Sequence, residues 1–273
     1  MAAPVTRPQG DPITESQGAV LARLYDLDLS EEPGDLDLLL ALAARTGGPI
    51  LELAVGSGRL AVPLAEDGYE ITGVDLDSAM LARARRAADA AGTAPARRLR
   101  LVDGDARTVR LPEAGSFNLA FIPLNSIFLM GSRADQAAAV ATLAAHLAPG
   151  GLAVVDAWLP DADDLSRYDG RLVLEWVRAD METGRTVTKT GSAAYEPATA
   201  SVHLTTIFEE GLPGEPAVRW VRTDRLRLVT PDELEVFAET AGLEVETLAG
   251  DYELGELGPG AERVVLVARK PGP

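Results

Sequence analysis

The order of apolar and polar positions divides the chain into three stretches. From Ile50 onward, short apolar runs alternate with amphipathic segments: strands over 50–54, 70–74, 98–102, 117–122 and 152–157, helices over 58–67, 78–90 and 133–147. Apolar runs with little alternation suit strands buried on both faces, and helices between them imply a parallel sheet wrapped on both sides. Upstream, Val20, Leu21, Leu24 and Tyr25 recur at helical spacing within 13–26, and a second helix over 35–45 stops at Gly47-Gly48-Pro49. Residues 1–12 hold three prolines and no period, which predicts disorder. After residue 165 the pattern changes. Extended segments over 171–179, 186–196, 200–210 and 217–229 follow one another with only turn material between them, so they must pair as an antiparallel meander. Thr230-Pro231-Asp232-Glu233 is a capping box with proline at the first helical position; it starts a helix to Ala241, before strands over 243–248 and 263–269. Pro63 is expected to kink the helix over 58–67 near its first turn.

Two segments within the alternating region carry chemistry. Ile50-Leu51-Glu52-Leu53-Ala54-Val55-Gly56-Ser57-Gly58-Arg59 is a strand that breaks into a small-residue loop and enters a helix. Gly73-Val74-Asp75-Leu76-Asp77 ends the next strand in an acid nineteen positions after Gly56, with Asp77 or Ser78 placed to cap the helix that follows. Glycines at a helix N-terminus let a ligand approach bare backbone, and the second acid can accept both hydroxyls of a ribose. The spacing Gly56-Ser57-Gly58-Arg59-Leu60-Ala61 also fits nicotinamide dinucleotide folds. Glu52 argues against them, because a carboxylate there repels a pyrophosphate and welcomes an ammonium. Further on come Asp103-Gly104-Asp105-Ala106 and Pro149-Gly150-Gly151 before the fifth strand.

Together these residues resemble the class I S-adenosylmethionine-dependent methyltransferases, over about 48–160 and again from about 230. The resemblance implies that the Glu52 loop holds the methionine portion, Asp75 the ribose, and Asp105 with Ala106 the adenine. Ala54, Gly56, Gly58, Arg59, Leu76, Met80, Pro123 and Asn125 complete the expected cofactor contacts. Where the family often has a glycine this chain has Ala54, which the loop accommodates if φ stays negative there. The implied fold is α/β, a Rossmann-like doubly wound sheet with an antiparallel insertion after strand five and an N-terminal helical lid. The expected divisions are 1–46 for the lid, 47–165 for the cofactor-binding core, 166–229 for an insertion roofing the site, and 230–273 completing the core. An insertion there leaves the carboxyl side of the parallel strands, where open α/β sheets bind ligands. The arrangement is similar to the small-molecule branch that includes glycine and aminosugar N-methyltransferases.

Composition narrows the partners. A net charge of −17 disfavours a polyanion, and Lys189 and Lys270 are the only lysines. The densest basic run, Arg83-Arg85-Arg86 with Arg97-Arg98-Arg100, suits a solvated helix face and strand edge. No apolar run is long enough to span a membrane, no secretory h-region opens the chain, and cysteine is absent, which fits a cytoplasmic enzyme. The expected partner is a small molecule, with neither nucleic acid nor membrane, and a homo-oligomer is left open.

Methyl transfer from a sulfonium is an in-line displacement that asks mainly for alignment, sometimes for a base. Pro123-Leu124-Asn125-Ser126 follows strand four and resembles the family's segment beside the sulfonium, which makes Asn125 and Ser126 candidate contacts. Tyr25, Asp156 and Trp158 are expected near the acceptor. His203 shares a strand face with Thr205 and Ile207, opposite Val202, Leu204 and Phe208, and is the candidate base if its face is the chamber ceiling. His146, at a helix end, has a structural reading. Two histidines without a spaced partner make no metal site. The expectation is methyl transfer to N or O of a small acceptor, giving S-adenosylhomocysteine. The alternatives are other chemistry on the same cofactor, such as cyclisation, or a nicotinamide-dependent oxidoreductase.

Overall fold

The computed structural model describes residues 16–29 and 34–272. The expectation for residues 1–12, and the start of the helix over 13–26, fall outside them. In chain order the elements are α1 (Gln17–Asp28), α2 (Asp35–Thr46), β1 (Ile50–Leu53), α3 (Ala61–Glu66), β2 (Ile71–Asp75), α4 (Ser78–Ala91), α5 (Thr93–Arg98), β3 (Leu99–Asp103) and β4 (Phe117–Ile122). A 3-10 turn, Ser126–Met130, leads to α6 (Arg133–His146), β5 (Leu147–Trp158) and α7 (Ala162–Arg167). The meander is β6 (Asp169–Ala179), β7 (Thr186–Glu196), β8 (Ser201–Gly211) and β9 (Val218–Arg227), followed by α8 (Pro231–Thr240), β10 (Glu244–Ala249) and β11 (Arg263–Arg269).

The large sheet runs β10-β11-β5-β4-β1-β2-β3, parallel except for β11, which is antiparallel to both neighbours. Every residue of β1 is buried, Glu52 included, as a strand covered on both faces of the sheet must be. One core lies on the α6 and α8 side of this sheet, built on Phe117, Phe128, Leu143 and Phe237; the other lies on the α2 and α3 side, built on Leu39, Leu64, Ile71 and Phe121. Strand order reverses between β1 and β4, and it is at such a switch point that an open α/β sheet leaves a crevice for a ligand. The meander forms its own four-stranded antiparallel sheet, β6-β7-β8-β9. Thr230 and Glu233 close the capping box of α8 as expected.

Strand β5 begins earlier than predicted. Leu147 already pairs with Phe117, and the ladder resumes at Leu119 with Leu152, so Pro149-Gly150-Gly151 forms a bulge inside the strand. A Cβ on Gly151 would stand 2.9 Å from the Phe117 carbonyl, which is why glycine is needed there. The expected basic run is dispersed: Arg83 binds Asp26 and Glu182, Arg98 the Ala65 carbonyl, and Arg100 Glu113.

Helix α1 is fastened to the meander. Val20 and Leu24 pack on Val187 and Phe208. Arg23, buried, pairs with Asp180 and with Glu210 (2.7 Å), and Glu210 also accepts from Trp220 Nε1 at 2.9 Å. Arg178 donates to the carbonyls of Leu27 and Asp28, satisfying groups that a helix C-terminus leaves open.

Candidate functional site

The loop after β1 and the acid ending β2 meet at the switch point. Asp75 Oδ2 accepts from the Gly56 amide at 2.8 Å and Oδ1 from the Asp77 amide at 2.9 Å. Burial pushes the Asp75 carboxyl above its ordinary value, and those amides only partly offset the rise. Gly58 has φ +85°, and a Cβ on it would lie 3.2 Å from Ala84 Cβ and Val62 Cγ2. Its missing side chain therefore lets α3 and α4 close together, whereas the sequence had suggested room for a ligand.

Glu52 is a buried acid near the end of β1. It is 2 % exposed, and its Oε2 has no hydrogen-bond partner. Burial drives its carboxyl well above the carboxylate range; Arg59 opposes the rise, while Asp35 and Asp75 add to it. Arg59 is held bidentately by buried Asp35, at 2.7 and 2.5 Å, and faces the same cleft as Glu52, Ala54 and Pro123. A buried acid with a free oxygen lacks a cation or donor, and a guanidinium nearby can receive an anion. A cofactor carrying both an ammonium and a carboxylate fits that pair.

The backbone around the cleft is strained. Ala54 has φ +62°, so the expectation of a negative φ is corrected: alanine adopts the left-handed turn that glycine takes without penalty. Leu124 (φ +43°) and Asn125 (φ +62°) do the same on the facing loop. Strained residues persist where their surroundings over-determine them, most often at ligand sites. Asp156, buried at the end of β5, supplies that restraint. Its Oδ1 accepts from the Leu124 amide at 2.7 Å, and its Oδ2 from Tyr252 Oη at 2.8 Å and Arg263 Nη1 at 3.0 Å. Asn125 Oδ1 accepts from the Trp158 amide at 2.6 Å, which gives Asn125 a structural bond beside any role toward a ligand.

The other expected contacts differ in their surroundings. Tyr25 stands close to the loop, with its Cε1 4.0 Å from where a Gly56 Cβ would be, and burial pushes its phenol up to about 12. Leu76, beside Asp75, is 63 % exposed, while Met80 and Ala106 are buried. Asp105 is bound by Arg107 at 2.5 Å, and that guanidinium holds its carboxyl below the usual range.

Adjoining the cleft is a chamber of about 450 Å³ between α1, the 124–129 loop, Trp158 and the meander. Tyr25, Leu124 and Ser126 line both spaces and mark the boundary between them. The chamber wall is mainly apolar: Leu21, Phe128, Trp158, Leu204, Phe208 and Leu226. Its charges are already matched. Lys189 binds Asp28 at 2.6 Å and Glu175 at 2.7 Å, and Arg222 binds Asp224 at 2.7 Å. Sequence reasoning missed the roles of Asp28, Lys189, Arg222 and Asp224 on the wall, and Arg23; the available signal was Lys189 itself, one of only two lysines, on the strand face of Val187 and Ala193.

His203 is corrected outright. Val202, Leu204, Thr206 and Phe208 face the chamber, so alternation puts His203 on the outer, exposed side of β8. His203→Ala should leave kcat within about twofold in a methyl-release assay, as surface substitutions do; a loss of about 10²-fold would restore it as a base. His146 is buried, with Nε2 accepting from the Leu111 amide at 3.1 Å and Nδ1 2.7 Å from the Thr142 carbonyl, a core role.

Residues 50–151 match the family model described as a methyltransferase domain. Over 242 residues the chain is 28% identical to dTDP-3-amino-3,4,6-trideoxy-alpha-D-glucopyranose N,N-dimethyltransferase of Streptomyces venezuelae, covering 84% of this chain and 92% of the relative. Over 133 residues it is 35% identical to demethylmenaquinone methyltransferase of Thermus thermophilus, covering 48% and 55%. The CcbJ methyltransferase of Streptomyces caelestis superposes with a TM-score of 0.74 at 25% identity, covering 89% of this chain and 98% of that one. Streptomyces venezuelae DesVI superposes at 0.72 and 25% identity, covering 94% and 100%.

Proposed function

We propose that the chain is a class I S-adenosylmethionine-dependent methyltransferase and that it methylates an amine nitrogen on a small, largely apolar acceptor seated in the chamber. When bound, S-adenosylmethionine supplies an electrophilic methyl carbon. Glu52 would take its ammonium, Arg59 would offer positive charge to its carboxylate, and Asp75 would meet the ribose. Leu76 would give the base an apolar face, with Asp105 and Ala106 at its edge; Ala54, Gly56, Gly58, Met80 and Pro123 shape the surrounding walls. Tyr25 and Asn125 position the acceptor at the boundary between cleft and chamber, and α1 with the meander acts as the cover.

One observation carries the choice of nitrogen: among the described residues lining the chamber none is a free base, the Tyr168 phenol included, which burial pushes up. The Tyr25 phenol is pushed up to about 12, Asp28 and Asp224 are ion-paired, and His203 lies outside. A hydroxyl acceptor needs its proton taken during attack. An amine sheds one to water beforehand, after which alignment can supply up to about 7–11 kcal/mol. The matched charges add a second point. Among the described residues lining the chamber, Lys189 and Arg222 are both already neutralised, which disfavours a diphosphate and favours an acceptor free of nucleotide. The reading suits a cytoplasmic enzyme of net charge −17 that acts on neither nucleic acid nor membrane; no helix among the described residues is long and apolar enough to cross one.

Methyl transfer from labelled S-adenosylmethionine to apolar primary amines, to the matching alcohols and to a dTDP-linked amino sugar tests this. The amines should react and the alcohols should be slower by at least about 10²-fold. Equal rates for the alcohols would sink the nitrogen reading. The dTDP-linked sugar as the best substrate would favour the second reading, suggested by the names of the sugar N,N-dimethyltransferase relatives.

A further inference from the structure

Two side chains with no place in the cleft or the chamber hold Asp156. Tyr252 Oη and Arg263 Nη1 both donate to its Oδ2, and neither residue is among the described ones lining either space. Arg263 Nη1 also donates to Tyr252 Oη at 2.6 Å, and its guanidinium carbon stands 4.2 Å from the Tyr252 ring centroid. The three residues come from β5, from the loop after β10 and from the start of β11, and they meet around one buried carboxylate. The loop is shaped to send the tyrosine inward. Its Gly250 amide donates to the Gly255 carbonyl at 2.9 Å and its Gly255 amide to Asp251 Oδ1 at 2.7 Å. Asp251, Glu253 and Leu254 stay exposed, while Tyr252 packs on the core that contains Leu39 and Phe121. A buried carboxylate needs such donors. Burial pushes the Asp156 carboxyl up; the Tyr252 hydroxyl, the Leu124 amide and the Arg263 charge oppose the rise, and Asp35 adds to it.

We propose that Tyr252 and Arg263 are positioning residues for methyl transfer, acting through Asp156 on the turn at Leu124-Asn125. This rests on the reading that the turn stands beside the transferred methyl. Two successive residues with side chains are left-handed there, a conformation that L-residues leave unless they are held. Asp156 holds both of them. Its Oδ1 binds the Leu124 amide, and its carbonyl accepts from the Asn125 amide at the longer distance of 3.4 Å. A carboxylate that loses both donors on Oδ2 is free to turn, and the Leu124 amide then has no fixed partner. Asn125 and Ser126 shift with it, at the boundary between cofactor and acceptor.

The effect falls on alignment and spares the grip on the cofactor. A misplacement of about 1 Å costs an aligned reaction about 10²-fold. Glu52, Arg59 and Asp75 belong to other elements. Asp35 lines the same small cavity as Asp156 and Tyr252, but Arg59 takes both of its oxygens, so Arg59 keeps its own anchor.

Tyr252→Phe and Arg263→Met, in the full chain, should each lower kcat for transfer to an apolar primary amine at least about tenfold. Calorimetry with S-adenosylhomocysteine should show unchanged affinity. Arg263→Lys, which keeps a cation beside Asp156, should lose less than Arg263→Met, and Glu253→Ala, exposed on the same loop, should lose nothing. In a chain that already carries Asn125→Ala, adding Tyr252→Phe should cost little more, because both act at one turn. Hydrogen exchange needs neither cofactor nor acceptor. In Tyr252→Phe the Leu124 and Trp158 amides, bound to Asp156 and Asn125, should exchange at least about tenfold faster while β1 and β2 keep their protection. If the wild type transfers no methyl to any amine, the acceptor reading fails and the exchange rates alone decide this one. Unchanged kcat in both variants, an undiminished loss from Tyr252→Phe beside Asn125→Ala, or unchanged exchange at Leu124 would each overturn the proposal.

Discussion

Glu52→Gln is expected to make the protein more stable and a worse binder at once. In the folded protein the Glu52 carboxyl ionises well above its ordinary 4.5, mainly because burial disfavours the charge. A carboxyl raised in this way contributes stability that is fully present below about pH 4.5 and is lost as the pH rises through the folded value. Glutamine carries no charge to desolvate, so the variant escapes that loss. The polar atom stays without a partner but its desolvated charge is gone, which should raise Tm by about 2–4 °C near pH 8, the equivalent of about 1 kcal/mol in a chain of this size. Near pH 4.5 the two proteins should melt together. Cofactor affinity moves the other way, since an ammonium–carboxylate bond of about 1.5–3 kcal/mol is removed, weakening S-adenosylhomocysteine tenfold to about a hundredfold. Melting curves across that pH range and calorimetry near pH 7.5 check both halves. A variant that binds normally would take Glu52 out of the site, and one that melts lower at every pH would show that its charge is satisfied in the fold.

Arg23→Met should destabilise the chain by about 3–5 kcal/mol, because two buried carboxylates, Asp180 and Glu210, would lose their shared cation. The penalty comes from the charges left behind more than from the bond lost. Adding Asp180→Asn and Glu210→Gln to the same chain should therefore recover most of it. Urea unfolding measures the energies, and hydrogen exchange locates the damage: amides of α1 should exchange faster while those of β1 and β4 keep their protection. A loss under about 1 kcal/mol would mean that water reaches the three residues and the network is not a fastening.

How far each feature could be anticipated follows the range of the forces behind it. The alternating strands and helices rest on local periodicity and were legible. So were the four meander strands, whose turns are marked by Glu182-Thr183-Gly184 and Gly211-Leu212-Pro213-Gly214. The bond from the Gly56 amide to Asp75 was not legible, since the sequence pattern reserved the Asp75 oxygens for a ribose. Helices α5 and α7, six residues each, were not, since neither is long enough to show a period and α7 buries no residue. The Asp161–Asp164 capping box was the one readable mark of α7. For β8, parity was legible and facing was not. Val202, Leu204 and Phe208 on one side and Ile207 with Thr205 and His203 on the other are both tolerable inner faces until α1 docks on one of them. The sign of φ at Ala54 follows from the turn the loop must make between β1 and α3, which the strand pattern alone does not state. Arg23 and its carboxylates lie 157 and 187 positions apart, beyond any window in which a pattern could show.

That separation also bears on the order in which the molecule can be assembled. Helix α1 leaves the ribosome before the large sheet does, and the groups that neutralise Arg23 are made only after strands β1 to β5 have been synthesised. Until then α1 is a short helix with no meander to hold it, and helices of its length are marginal by themselves. The nascent chain therefore carries the Gly56 and Asp75 portion of the cofactor cleft before the acceptor chamber has its meander wall, so the two halves of the site come into being at different times on the same chain.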